Sequence, residues 1–371
     1  AINAAGQVAG SFSDSNGNNY TGYIYNNGVF TLLNDPLAAA GGTSDGFAGT
    51  VAKDINSSGK VVGYYSTASS AIYGFLYNGS GYVTLSDPLA PQSTQAVGIN
   101  DSGVIVGNVY VSTNDTEGFV LNGGIYTNLQ DPDASSNFGT SVVAISNFNQ
   151  IVGDYYDAQD QSHGFIYNTN GGGYTTLNDP LAASGAGFGT HVEGISSNGR
   201  VAGYYVDAGG KDNGFFYSNG SFTTIDDPSG VGGTVAESAN DLGQVVGYYL
   251  DGNGTYHAFV YSGGVYTALG DSAAVGGSAA FAINDLGGIA GVYRDGNGGA
   301  HTFTAAANNN GTLAFTGSST LANVNIAGGA VTVASGATLT LDDVVLDNVA
   351  LTLSGDGTTP SIKIDAGDTL T

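Results

Sequence analysis

The side chains best placed for chemistry lie in short acidic loops. Asp251-Gly252-Asn253-Gly254 and Asp295-Gly296-Asn297-Gly298 set carboxylate and amide oxygens two residues apart. Such oxygens suit a hard cation, which makes Asp251, Asn253, Asp295 and Asn297 candidate calcium ligands. The loops lack the further oxygens and the bidentate Glu of an EF-hand, and Asp-Gly and Asn-Gly are also what a tight hairpin turn demands. They read as turns first and as cation sites second. Asp35, Asp87, Asp131, Asp179 and Asp227 each precede a proline. Asp in that setting closes a turn through its own side chain.

Tyrosine is the second feature. Tyr64-Tyr65, Tyr155-Tyr156, Tyr204-Tyr205 and Tyr248-Tyr249 are adjacent pairs, and neighbours in a strand point to opposite faces. One ring of each pair is expected to pack inside. The other, at Tyr64, Tyr156, Tyr204 and Tyr248, is then a candidate to stack on a sugar. The absence of Trp counts against a lectin. His163, His257 and His301 share one repeat position, so they do not converge on a metal; each is expected to bond a neighbouring backbone. Gly42-Thr43-Ser44-Asp45-Gly46 fits the nucleophile-elbow pattern but lacks the strand before and helix after that an elbow needs. No catalytic and no cofactor-binding residue is assigned.

These residues are positioned by a repeat. The phrase Ile-Asn-x-x-Gly-x-Val-x-Gly-Tyr-Tyr recurs with variations, its second glycine at Gly10, Gly63, Gly107, Gly153, Gly203, Gly247 and Gly291. The spacings run from 44 to 53 residues. A small-aromatic phrase follows in phase, as in Gly74-Phe75 and Gly164-Phe165, then Tyr-Thr-x-Leu and Asp-Pro. Val- and Tyr-rich runs separated by Asn-Gly, Asp-Gly and Gly-Gly read as four short strands per repeat. Seven such units predict an all-β, seven-bladed β-propeller of four-stranded blades over residues 1–306.

Composition removes several classes. The chain has 371 residues, 62 of them Gly, with 6 Lys+Arg against 31 Asp+Glu and a formal charge of −25. That charge opposes nucleic-acid binding. Without Cys there are no disulfides or thiolate metal sites. No apolar run reaches the roughly 18 residues of a membrane helix. A hydrophobic content of 41% is enough to fold.

The run Asn240-Asp241-Leu242-Gly243-Gln244-Val245-Val246-Gly247, followed by His257-Ala258-Phe259, resembles the bacterial extracellular HAF-type repeat. His163-Gly164-Phe165 and His301-Thr302-Phe303 keep its histidine; Thr21, Tyr73, Glu117 and Asn213 replace it elsewhere. The resemblance spans residues 1 to about 305. It implies an extracellular or cell-surface bacterial protein and no particular reaction. Residues 307–371 change character, to Leu, Val and Ile alternating with Thr, Ser, Asn and Asp, as in Thr338-Leu339-Thr340-Leu341. This C-terminal β-strand extension resembles repetitive stretches of bacterial adhesins and reads as solenoid- or sandwich-like.

Ala1-Ile2-Asn3 opens inside a repeat, so the sequence reads as a processed or truncated form. The last repeat has Thr312–Thr316 as its expected third strand and needs a fourth from elsewhere. A sheet edge left open in this way pairs with any strand offered. The expected function is therefore a secreted structural subunit of a surface, matrix or filament. It would associate with other copies head to tail through its C-terminal strands. Calcium is the only cofactor considered. A glycan-binding adhesin recognising cell-surface glycans is the alternative, and a polysaccharide-acting enzyme the third reading.

Overall fold

A computed structural model describes residues 1–14, 17–39, 48–112, 115–136, 138–270 and 276–307, and beyond these the backbone of strands as far as Leu370. The elbow-like Gly42–Gly46 lies outside the described residues. Among the described residues every element is a strand or a turn. The first set holds β1 (Val8–Ser13), β2 (Asn19–Asn26) and β3 (Val29–Leu33). Next come β4 (Ala48–Ile55), β5 (Val61–Ser66), β6 (Ile72–Tyr77) and β7 (Tyr82–Leu85). Then follow β8 (Thr94–Ile99), β9 (Ile105–Tyr110), β10 (Thr116–Asn122) and β11 (Ile125–Leu129). The fourth set is β12 (Thr140–Ile145), β13 (Gln150–Tyr156), β14 (Ser162–Asn168) and β15 (Gly173–Leu177). The fifth is β16 (Gly189–Ile195), β17 (Val201–Val206), β18 (Asp212–Ser218) and β19 (Ser221–Ile225). After it come β20 (Gly233–Ala239), β21 (Val245–Leu250), β22 (Tyr256–Ser262) and β23 (Val265–Gly270). The last set has β24 (Ser278–Ile283), β25 (Gly288–Arg294) and β26 (Ala300–Ala306).

The chain packs as two compact units, Ala1–Gly199 with Tyr205–Gly210, and Arg200–Tyr204 with Lys211–Thr371. Within each, consecutive strands of a set pair antiparallel. The conserved phase of the repeat has a packing cause. Gly63 pairs across the ladder with Phe75, Gly107 with Phe119 and Gly153 with Phe165; in the second unit Gly247 pairs with Phe259. Each of these rings is fully buried. A Cβ on Gly63 would overlap the Val51 carbonyl oxygen and crowd the Phe75 ring. The glycine is therefore the space the ring and the neighbouring strand occupy.

The opening strand of a set carries a bulge. Its register slips between Ala52 and Asp54, Ala96 and Gly98, and Val142 and Ala144, and in the second unit between Ala236 and Ser238. A bulge sharpens local twist and re-aims the extra side chain. In the first unit, short parallel bridges link the third strand of a set to the opening of the next, as at Thr116 with Gly139 and Ser162 with Gly189.

Buried asparagines hold the sets together. The Asn56 Oδ1 accepts from the Ser58 and Lys60 amides at 3.2 and 3.1 Å, closing the Ile-Asn turn. Its Nδ2 donates to the Asn100 carbonyl of the next set at 3.1 Å. Asn3 does the same to Asn56, Asn100 to Ser146 and, in the second unit, Asn240 to Asn284. The Asp-Pro aspartates are a second clasp. The Asp35 amide donates to Thr50 Oγ1 of the following set at 2.9 Å, and Oδ1 accepts from Leu37. Asp87, Asp131 and Asp179 repeat this toward Thr94, Thr140 and Thr190.

The C-terminal stretch adds β27 (Thr312–Phe315), β28 (Ser319–Ala322), β29 (Asn325–Ala327), β30 (Ala330–Val333), β31 (Thr338–Asp342), β32 (Val345–Asp347), β33 (Ala350–Leu353), β34 (Ser361–Ile364) and β35 (Thr369–Leu370). These form three parallel ladders, β27-β30-β33, β28-β31-β34 and β29-β32-β35. Strands three apart in sequence stack, which is the pattern of a three-sided parallel coil. One expectation is corrected here. Thr312 to Phe315 does not complete the last repeat; β27 pairs with β30 because its period-2 text matches the next coil in register. The tail strand β29 adds antiparallel to β23 of its own chain, at Ala268–Gly270.

Candidate functional site

The loops first read as cation sites are closed turns. Asp251 Oδ1 accepts from the Asn253 and Thr255 amides at 2.8 and 2.9 Å, and its Oδ2 lies 3.2 Å from His257 Nε2. Asp295 uses Asn297, Gly299 and His301 in the same way. The histidine rings stack on Tyr249 and Tyr293 with centroids 5.1 and 4.9 Å apart. Asp157, His163 and Tyr155 form the same group in the first unit. The histidine thus serves the Asp of its own hairpin, not a neighbouring backbone. The Thr255 amide, then His257, hold the Asp251 carboxyl down at about 2. Among the described residues no three metal-ligating side chains come together. The Asn253 and Asn297 backbones, by contrast, are parts of the turn.

The tyrosine pairs divide by face. Tyr65, Tyr155, Tyr205 and Tyr249 are buried, while Tyr64, Tyr156, Tyr204 and Tyr248 are half-buried. Three of the half-buried rings have an exposed aromatic beside them. Tyr110 lies near Tyr64, close enough to help burial raise its hydroxyl pKa. Tyr256 meets Tyr248 edge-on at 5.2 Å. Phe138, 41% exposed, lies 5.7 Å from Tyr156.

The Tyr156 position departs furthest from the repeat. Tyr64, Tyr204 and Tyr248 directly follow the repeat glycine, but Asp154 stands there after Gly153, and Tyr156 comes two residues later on the same strand face. Tyr156 pairs across the ladder with Ser162, and the two hydroxyls hydrogen-bond. From β16, the His191 ring meets Tyr156 edge-on at 6.4 Å, and its Nδ1 is 3.2 Å from Ser162 Oγ. Burial lowers the His191 pKa, so the ring is neutral at pH 7. Deeper between β13 and β16, the Asp154 Oδ1 accepts from the Val192 amide at 2.8 Å. Burial raises the Asp154 carboxyl well above its ordinary range, the Val192 bond opposes this, and Glu193 adds repulsion. Burial pushes Glu193 up to about 7, and the Lys53 charge pulls it back.

One cluster of the first unit, between β13 and β16, therefore gathers Phe138, Tyr156, Ser162, His191, Asp154 and Glu193. Two aromatic faces, a hydroxyl, a neutral imidazole and two carboxyls with raised pKa values can stack on a ring and hydrogen-bond its substituents. Of these residues, sequence reasoning marks only Tyr156. The signal for Asp154 and His191 is the break in pattern: Gly-Asp-Tyr-Tyr at Gly153, and His191 where other sets carry Ser141 or Gln95; Glu193 is no break, since Glu237 stands at its position in the following set.

No protein-family model and no curated protein sequence matches the chain. Solved structures do. The β-propeller domain of the Trilobed protease from Pyrococcus furiosus, described as having an open velcro topology, aligns with a TM-score of 0.52 at 11% identity, over 79% of this chain and 89% of that one. A fucose-specific lectin from Aleuria aurantia aligns with a TM-score of 0.42 at 14% identity, over 68% of this chain and 91% of that one. TolB from Acinetobacter baumannii aligns at 0.43 and 13%, over 70% of this chain and 61% of that one. At such identities the first likeness shows the fold alone: the chain is an all-β protein with the β-propeller architecture.

Proposed function

We propose that this chain is a carbohydrate-binding propeller and that the cluster of residues between β13 and β16 is its principal site. The supporting observation is the pairing of exposed Phe138 with half-buried Tyr156, at 5.7 Å, with Ser162 and His191 beside Tyr156. A pyranose presents an apolar C–H face and a rim of hydroxyls. Phe138 and Tyr156 match the face; Ser162, His191, Asp154 and Glu193 match the rim. Tyr64 with Tyr110 and Tyr248 with Tyr256 are secondary platforms of the same kind, and Tyr204 completes the series.

The reading is of a binding module with seven blades, one for each recurrence of the repeat glycine, and not of an enzyme. Secretion to a bacterial surface belongs to the same proposal. A chain with no Cys and 6 Lys+Arg offers little to oxidation or to trypsin-like proteases. Calcium is not part of this proposal.

The test is calorimetric titration of the whole chain with a panel of neutral oligosaccharides. At least one should bind, and Tyr156→Ala should weaken it by about tenfold, equal to about 1.4 kcal/mol, with an unchanged far-UV spectrum. Binding that ignores Tyr156→Ala, or no binding across the panel, refutes the proposal.

A further inference from the structure

We infer that the outer edge of β26 docks an extended segment of another polypeptide, one that is not acidic and carries an aromatic residue followed three positions later by a small one. The inference is independent of the carbohydrate reading and starts from what other sets place there. In five sets a fourth strand, β7, β11, β15, β19 or β23, pairs antiparallel with the third. Its aromatic ring lies 5.2–5.8 Å from the phenylalanine of the third strand, as Tyr82 does from Phe75 and Tyr266 from Phe259. All five phenylalanines are fully buried.

The last set has no such strand among the described residues; its sheet is β24, β25 and β26 alone. Phe303 pairs with Gly291 as Phe259 does with Gly247, so it holds the same place, yet it is left partly exposed. β26 therefore presents a free ladder edge beside an incompletely covered ring, and such an edge accepts an added strand. The preceding set shows the addition: β29, from far along the chain, joins the outer side of β23 antiparallel over Ala268–Gly270.

Two departures from the repeat define what fits. In the register of the completed sets, the fourth strand sets its aromatic opposite a large residue, as Tyr266 opposite Tyr261, and its closing Leu or Ile opposite Gly or Ala, as Leu177 opposite Gly164. The last set carries Ala305 and Thr302 at those two places. Ala305 leaves room for a ring across the ladder. Thr302 takes up room that the leucine needs: a Cβ on Gly164 would already meet the Leu177 Cβ at 3.3 Å. The residue opposite Thr302 is therefore small. The chain's own fourth strands end on Leu or Ile and do not meet this requirement, so the occupant is a different polypeptide. A chain charge of −25 repels an acidic one.

The experiment follows the fluorescence anisotropy of labelled peptides of about eight residues, strand length with a residue or so to spare, added to the full chain. The first peptide alternates Val and Thr, with one Tyr and, three positions on, Ala. The others carry Leu for that Ala, Pro at the centre, or Glu for two of the Thr. The Ala peptide should bind about tenfold more tightly than the Leu peptide. The Pro peptide, which lacks a ladder donor, and the Glu peptide should not bind. Thr302→Gly, which restores the small residue of the other sets, should bring the Leu peptide level with the Ala peptide, with thermal unfolding reporting that the variant folds. Amide exchange across Ala300–Ala306 should slow by about tenfold on binding. No binding, equal affinity for the Ala and Leu peptides in the wild type, or binding that leaves those amides unprotected overturns the inference. Self-association that protects Ala300–Ala306 without any peptide puts a second copy on the edge and overturns the foreign partner. No sugar enters these titrations, so each outcome leaves the carbohydrate reading where it stood.

Discussion

Replacing Asn56 is the sharpest probe of how the sets are joined. Four hydrogen bonds converge on this buried side chain: from the Ser58 amide, the Ser58 hydroxyl and the Lys60 amide to Oδ1, and from Nδ2 to the Asn100 carbonyl. At about 1 kcal/mol for each bond lost, and with buried backbone groups left unsatisfied, Asn56→Ala should cost about 3–5 kcal/mol. The molecule supplies its own control. Ser146 holds the same turn in a later set, its Oγ accepting from Phe148 and Gln150 at 3.3 and 3.1 Å. Asn56→Ser should therefore keep the turn and lose the link to Asn100, for about 1–2 kcal/mol. Urea unfolding followed by tyrosine fluorescence and far-UV circular dichroism reads both. Equal losses in the two variants, or an alanine variant within about 1 kcal/mol of wild type, would refute the separation of turn from stitch.

The other expectations concern charge and space. Asp251 is held at about 2, below the usual carboxylate value, so its contribution is complete above the unfolded pKa and lost as pH falls toward 2. Asp251→Asn should be less stable than wild type at neutral pH, with the gap closing between about pH 4 and pH 2 in thermal unfolding. Asp131 behaves oppositely. Burial raises its carboxyl, and its Oδ2 has no partner, so ionisation works against the fold. Asp131→Asn should match or exceed wild-type stability at neutral pH and lose that advantage in acid, whereas Asp131→Ala should destabilise at every pH by freeing the Asp133 amide. Gly63→Ala places a Cβ on the Val51 carbonyl and against Phe75, and should cost about 3 kcal/mol or abolish expression of folded protein.

The hairpins and their phase are legible in the sequence because each is local. Asp251-Gly252-Asn253-Gly254 names its turn, and the spacing of Gly63 and Phe75 is that of a cross-strand pair. The tyrosine faces are legible for the same reason, since Tyr64 and Tyr65 need only strand alternation to be told apart. The His-to-Asp bond is less so: His257 follows Asp251 by six residues, and only the closed hairpin brings them together. The cluster is hidden because its parts come from different sets. Asp154 and Val192 are 38 residues apart, and neither carries a motif. The tail shows the remaining limit. Alternation in Thr338-Leu339-Thr340-Leu341 announces a strand but does not say whether its partner is the next hairpin arm or the next coil. In the structure β31 pairs parallel with β28 and β34.

The carbohydrate reading stands or falls most directly on a structure of the chain with an oligosaccharide that it binds in solution. The account predicts a sugar ring stacked on Tyr156 and Phe138, with its substituents toward Ser162, His191, Asp154 and Glu193. A sugar lodged elsewhere, with none on the β13–β16 cluster at a saturating concentration, would contradict it.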